Sequence, residues 1–145
     1  MNNRSLDPAP VILPHLTVMI VLNLALQVVI AVDGHRIGAV AYLGTAVVAV
    51  AYAAFHLVRG RQLAQMRFGR LVAHVCGFIT VNLGFHIHAA WLVMEDSPAI
   101  RGEHGFPLDD GWFGVLFGMF VFWGSSLVCH LIASIAQQGY EELHA

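Results

Sequence analysis

Histidine is the unusual residue type of this sequence, because nine histidines equal the nine acidic residues of a chain that is 58% hydrophobic. Imidazole is a normal axial ligand of haem iron and also a ligand of zinc, copper and iron. A titratable side chain is costly to bury in a bilayer, so its presence there indicates a functional site by default. The histidines within or beside apolar stretches are His15, His56, His74, His86, His88 and His130.

The third apolar stretch presents two of these histidines on one helical face. His74 and His88 are 14 residues apart, and 14 steps of about 100° fall about 40° short of four full turns. About 21 Å would separate them along the helix axis. Gly77 and Gly84 belong to the same stripe, where the lack of a side chain leaves room for a large planar ring. The stripe therefore predicts a cofactor-binding face.

This stripe resembles the bis-histidine helices of membrane b-type cytochromes, in which two histidines 14 residues apart on one helix hold two haems. The resemblance implies haem ligation by His74 and His88. The sequence departs from the pattern in its fourth apolar stretch, where the residue 14 positions before His130 is Leu116 and not a second histidine. We therefore predict one b-type haem in preference to two.

The depth of each histidine in the bilayer indicates which of them act together. Four are predicted near the cytoplasmic level, one from each stretch: His15, His56, His74 and His130. Facing helices of a bundle commonly supply the ligands of a cofactor in its core. We predict His74 and His130 as the haem ligands, with His56 as the substitute for His130.

A second layer of candidate ligands is predicted on the outer side of the membrane. His86 lies about 200° around the helix from His88, so the two face different neighbours. An outer haem at His88 would take its second ligand, His35 or His104, from a connection. Imidazole with carboxylate also suits copper, zinc or iron, and the candidate metal ligands are Asp33, His35, His86, His88, Glu95, Asp96 and His104. A solvated acidic loop without any metal is the alternative interpretation.

Four apolar stretches must position these side chains, at residues 11–32, 37–58, 71–94 and 112–135. Each is longer than the roughly 20 residues that cross a bilayer as a helix. Only 11% of the residues are charged, against about 25% in soluble domains. A helix satisfies its own backbone polar groups in lipid. We predict an all-α fold, a single domain 1–145 that forms a four-transmembrane-helix bundle.

The connections predict the orientation of this bundle. The connection 59–70 holds Arg59, Arg61, Arg67 and Arg70, whereas the loop 95–111 is acidic. Arginine-rich connections remain in the cytoplasm, so both termini are predicted there and the acidic loop outside. The predicted location is a cell membrane, specifically the inner membrane of a bacterium.

Several function classes have no support in the sequence. The net charge of −2 gives no basic surface for nucleic acid. Cys76 and Cys129 lie apart within apolar stretches and form no redox pair. The GxSxG and HExxH motifs are absent, so enzyme status is left open, with activity of the isolated chain not expected.

The remaining features predict a small membrane subunit of an electron-transfer complex, respiratory or photosynthetic. Its expected partners are the lipid bilayer, larger membrane subunits and a quinone, and its expected cofactor is one b-type haem. A cofactor-free accessory subunit that stabilises a larger assembly is one alternative. A metal-dependent membrane enzyme that uses the outer histidines and carboxylates is another.

Overall fold

The computed structural model describes residues 9–66, 68–103 and 106–142, with side chains as far as residue 136. Within these ranges the chain is helical and contains no strand. Four helices are long and apolar enough to cross a membrane: Ala9–Val32 (α1), Ala39–Ala64 (α2), Gly69–Met94 (α3) and a fourth span, Asp110–Ala136. The prediction of an all-α fold with four apolar helices is confirmed.

The fourth span is not one regular helix. It begins as α4 (Asp110–Phe113), widens into a π-helical turn (Gly114–Gly118) and continues as α5 (Met119–Glu142). The Asp109 side chain caps its start by accepting hydrogen bonds from the backbone N–H groups of Gly111 and Trp112, at 2.9 and 3.2 Å. The fourth span therefore begins at a side-chain cap and carries one wide turn near that end.

The second helix extends six residues beyond the predicted limit of its apolar stretch. It ends at Ala64, although the stretch ends at Val58, because Arg59 and Arg61 are good helix formers whose exposed side chains need no lipid contact. Residues 65, 66 and 68 then belong to the turn that leads to α3. Gly69 is required there, because a Cβ atom at this position would lie 2.5 Å from the carbonyl oxygen of Leu63.

Helix α1 packs against both α2 and α3, α2 also contacts α3 directly, and the fourth span packs along α3. The interior is formed by apolar side chains from all four spans, including Met19, Val48, Phe85, Leu92 and Trp112. The turn 65–68 and the start of α1 lie at one end, which we call the arginine-rich end. The connections 33–38 and 95–109 lie at the other, the acidic end. The outward faces are apolar, with Leu57, Val58 and Val121 largely exposed in the isolated chain.

Candidate functional site

A four-histidine cluster lies at the arginine-rich end and takes one residue from each span: His15, His56, His74 and His130. The ring of His74 is stacked on His56, with centroids 4.4 Å apart, and on His130, with centroids 4.1 Å apart. His15 meets His56 edge-on, with centroids 6.1 Å apart. The structure thus brings the sequence-predicted residues His56, His74 and His130 into direct contact.

Aromatic side chains enclose this cluster. The Phe55 ring stacks on His15, with centroids 3.7 Å apart. Tyr52 packs against His56, and its hydroxyl group forms a hydrogen bond with Nδ1 of His74. Trp123 of the fourth span contacts Tyr52 edge-on. The imidazoles therefore lie in an apolar, aromatic environment in which each polar atom depends on a specific partner.

Two ring nitrogens of the cluster are buried without a hydrogen-bond partner, Nε2 of His15 and Nε2 of His56. His15 is only 4% exposed. Buried polar atoms are almost always partnered in native proteins, and each exception needs an explanation. These two nitrogens are consequently available to a group that the protein chain does not supply.

The glycine stripe of α3 is filled by neighbouring side chains. A Cβ atom at Gly77 would lie 2.8 Å from Cε2 of Tyr52, and one at Gly84 would collide with the amide group of Asn23. The predicted room for a planar ring beside these glycines is thus occupied by Tyr52 and Asn23. The glycines also allow α2 and α1 to approach α3 closely.

The stacked histidines leave no space for a macrocycle between them. Axial ligands of a haem lie on opposite faces of the porphyrin, whereas the rings of His74 and His130 are in contact. Ligation of one iron by this pair would require the two rings to be apart. Among the residues that the structure describes, no three His, Cys, Asp or Glu side chains are arranged to hold a single metal ion.

A network of hydrogen-bonded side chains at the acidic end connects α1, α3 and the connection 33–38. Nδ1 of His35 lies 2.9 Å from Nε2 of His88, and Nδ1 of His88 lies 2.9 Å from Oε1 of Gln27. Gln27 donates to Oδ1 of Asn23 over 3.3 Å, and Asn23 donates to the backbone carbonyl of Thr80. This network runs from the acidic end to the middle of the bundle.

The backbone carbonyl of Thr80 determines which atom donates and which accepts in every hydrogen bond of this network. A carbonyl only accepts, so Asn23 must donate through Nδ2 and keep Oδ1 for Nε2 of Gln27. Gln27 then presents Oε1 to His88, so the proton of a neutral His88 resides on Nδ1. The unprotonated Nε2 of His88 accepts a hydrogen bond from Nδ1–H of His35.

This assignment of donors and acceptors predicts the tautomer of His88. We expect ¹⁵N NMR of histidine-labelled protein to show a protonated Nδ1 and an unprotonated Nε2 on the neutral ring. Replacing Gln27 by leucine removes the acceptor, and we expect that variant to lose this tautomer preference and about 1–2 kcal/mol of unfolding free energy. Gln62→Leu is the matched control, because Gln62 is exposed and its side chain bonds to the exposed Arg59. Protonation of Nε2 on the neutral His88 ring of the wild type would refute this assignment of hydrogen-bond donors and acceptors.

The other predicted outer ligands do not join His35 and His88. Asp33, Glu95 and Asp96 are exposed, and Asp96 forms an ion pair with Arg101. His86 is exposed on another face of α3, where its Nδ1 bonds to the backbone carbonyl of Asn82 over 2.8 Å. His104 lies outside the described residues. The structure thus pairs His35 with His88 and disperses the carboxylates.

Sequence reasoning did not assign to these sites three residues that the structure joins to them, although Asn23 and Gln27 were expected to face the bundle. Tyr52 lies four residues before His56, a spacing that puts both on one helical face and could have revealed it. Gln27 and Asn23 are likewise four residues apart, a spacing that suits a polar face directed into the bundle. No sequence signal pairs either of them with His88 or Thr80.

Comparison with protein-family models, curated proteins and solved structures finds no match for this chain.

Proposed function

We propose that this chain is a small integral membrane subunit of an electron-transfer complex and that its four-histidine cluster binds one b-type haem. The observation that carries this proposal is the convergence of one histidine from every span at a single end of the bundle. Scattered hydrogen-bonding histidines would have no reason to share one level.

The donor chemistry of the cluster supports haem over other groups. All four candidate donors are imidazoles, which are normal axial ligands of haem iron. Among the side chains that the structure describes, the carboxylates belong to the acidic end, so no anionic ligand competes at the cluster. The unpartnered nitrogens of His15 and His56 provide further imidazole donors. A bound haem would supply one-electron transfer.

His74 is the proposed ligand from α3, because it lies between the other candidates. Tyr52 holds Nδ1 of His74, which fixes the ring orientation and leaves Nε2 for the iron. The proposed second ligand is His130, or alternatively His56 from α2. His130 belongs to the fourth span, whose main contact with another long helix is with α3.

Short connections support the assignment as a subunit and not as an autonomous enzyme. The described connections comprise residues 33–38, 65–68 and 95–109, with residues 67, 104 and 105 outside the description. Such segments provide little surface outside a membrane for a soluble donor or acceptor. Larger membrane subunits would therefore deliver and remove the electrons.

The proposed orientation puts the arginine-rich end and both termini in the cytoplasm of a bacterial cell, following the distribution of arginines. Single cysteines at Gln65 and Glu95 test this in a background with alanine at Cys76 and Cys129. With an impermeant maleimide on intact cells, we expect Glu95→Cys to react and Gln65→Cys to react only after lysis. The reverse pattern would invert the orientation.

The visible spectrum of the purified, dithionite-reduced chain tests the haem itself. We expect an α-band typical of a low-spin b-type haem at about one equivalent per chain. A folded, helical sample prepared with haem available and lacking this band would refute haem binding. Circular dichroism of the same sample establishes that the chain is folded.

A further inference from the structure

A cavity of about 170 Å³ lies between α3 and the fourth span, beside the four-histidine cluster. Tyr52 and His74 line it on one side, and Phe78, Trp123 and Ser126 line it on others. From its position, residues and size, we propose that this cavity binds the headgroup of a single-ring quinone. This inference names the substrate class of the proposed electron-transfer function and rests on that function.

The volume of the cavity matches a ligand with one aromatic ring. An apolar cavity of roughly 150 Å³ in another protein holds benzene. The present cavity therefore accommodates a six-membered ring with small substituents and excludes a porphyrin. The rings of Phe78 and Trp123 provide the faces and edges against which a flat ring packs favourably.

The polar groups suit both redox forms of such a ring. A tyrosine hydroxyl group has one donor and two acceptor positions. If Tyr52 accepts from Nδ1–H of His74, its own proton is available to a quinone carbonyl. In the same arrangement the second lone pair of Tyr52 is free to accept from a hydroquinone hydroxyl, while Nδ1 of His74 stays protonated, as the proposed ligation through Nε2 requires. Ser126 adds a second hydroxyl group to the lining.

The surroundings of the cavity indicate a ligand that arrives through lipid. Phe122 also lines the cavity and is 75% exposed on the apolar outer surface of the fourth span. The ligand must therefore be soluble in lipid and carry oxygens on an aromatic-sized ring, as quinones do. A larger cavity of about 270 Å³ between α2 and the fourth span lacks this polar pairing, because Tyr42 and Thr45 line it without a histidine.

Titration of the purified full-length chain with a benzoquinone carrying a ten-carbon tail tests this site. We expect saturable quenching of tryptophan fluorescence in the wild type, and loss of most of that quenching in Trp123→Phe. Ser126→Leu fills the cavity and should raise the Kd at least about tenfold, which corresponds to about 1.4 kcal/mol. Ser125→Leu is the matched control, because both serines are exposed but Ser125 does not line the cavity.

Tyr52→Phe provides a second variant that preserves the ring and removes only the hydroxyl group. We expect its Kd for the quinone to rise about fivefold, while the Kd for decylbenzene, which has no oxygens, stays unchanged. Equal affinity of wild type and Ser126→Leu, or equal binding of quinone and decylbenzene, would overturn the proposal.

The haem spectrum of each sample separates this proposal from the proposed function. A haem α-band without saturable quinone binding refutes the quinone site alone. Quinone binding that responds to Ser126→Leu in a chain without haem refutes the haem assignment alone.

Discussion

Replacement of His74 by alanine is expected to lower haem affinity by more than about 100-fold and to remove the α-band from the reduced protein. His74 is the central ring of the four-histidine cluster, in contact with both His56 and His130. Residues that only orient a metal ligand already contribute about 10–100-fold to affinity, so loss of the ligand itself must have a larger effect. Reduced-minus-oxidised spectra at equal protein concentration measure it.

His86→Ala is the matched control for this prediction. It makes the same substitution on the same helix, at an exposed residue whose ring bonds to the backbone of its own helix. We expect its spectrum to equal that of the wild type. Parallel spectra of His130→Ala and His56→Ala identify the second ligand, since only one of them should abolish the low-spin band. An unchanged spectrum in His74→Ala would exclude this residue as a ligand.

Replacement of Trp112 by alanine is expected to lower the unfolding free energy by about 3–5 kcal/mol. The Trp112 side chain is fully buried at the acidic end, where it packs edge-on against His88. Its indole N–H donates to the backbone carbonyl of His35 over 3.0 Å. The truncation leaves a large cavity and removes that hydrogen bond, so His35 loses the contact that holds its backbone in the turn.

Reversible unfolding of the detergent-solubilised chain measures this change, with Trp91→Ala as the control. Trp91 belongs to the same end of the bundle but is 45% exposed, so its removal should cost less than about 1 kcal/mol. Equal losses of unfolding free energy in the two variants would contradict the structural role assigned to the buried Trp112 side chain. The ¹⁵N resonances of His35 and His88 should shift in both variants, since the Trp91 ring also packs against both imidazoles, so the unfolding free energy is the measurement that separates the two.

The number of apolar helices and their minimum length were predictable from the sequence, because lipid imposes a minimum length on any helix that crosses it. The end of α2 was not predictable by the same reasoning. Hydropathy reports where the side chains leave lipid, whereas the backbone hydrogen bonds of α2 continue past Arg59 and Arg61 to Ala64. A charged helical turn that follows an apolar segment is therefore read as a connection in the sequence.

The level of the histidines along the bundle was predictable from the sequence, but the side-chain contacts around them were not. The proximity of His74 to His56 and His130 follows from their similar distance to one end of the bundle. That Tyr52 fills the space beside Gly77 depends on how closely α2 approaches α3, which no periodicity in one helix reveals. Similarly, the bond from Gln27 to His88 joins residues 61 positions apart, and single-helix spacing contains no information on that pairing.

The π-helical turn Gly114–Gly118 determines how the fourth span tolerates changes in length. A wide turn contains one residue more than a regular turn. The residues after it therefore lie on helix faces that differ by about 100° from the faces they would occupy in a uniform α-helix. Deleting one residue within this turn would restore a regular helix and leave Trp112 and His130 on their present faces. Deleting one residue downstream, between Met119 and Cys129, would instead rotate His130 away from His74. Homologous chains that differ by a single residue in this span should therefore carry the gap at the wide turn.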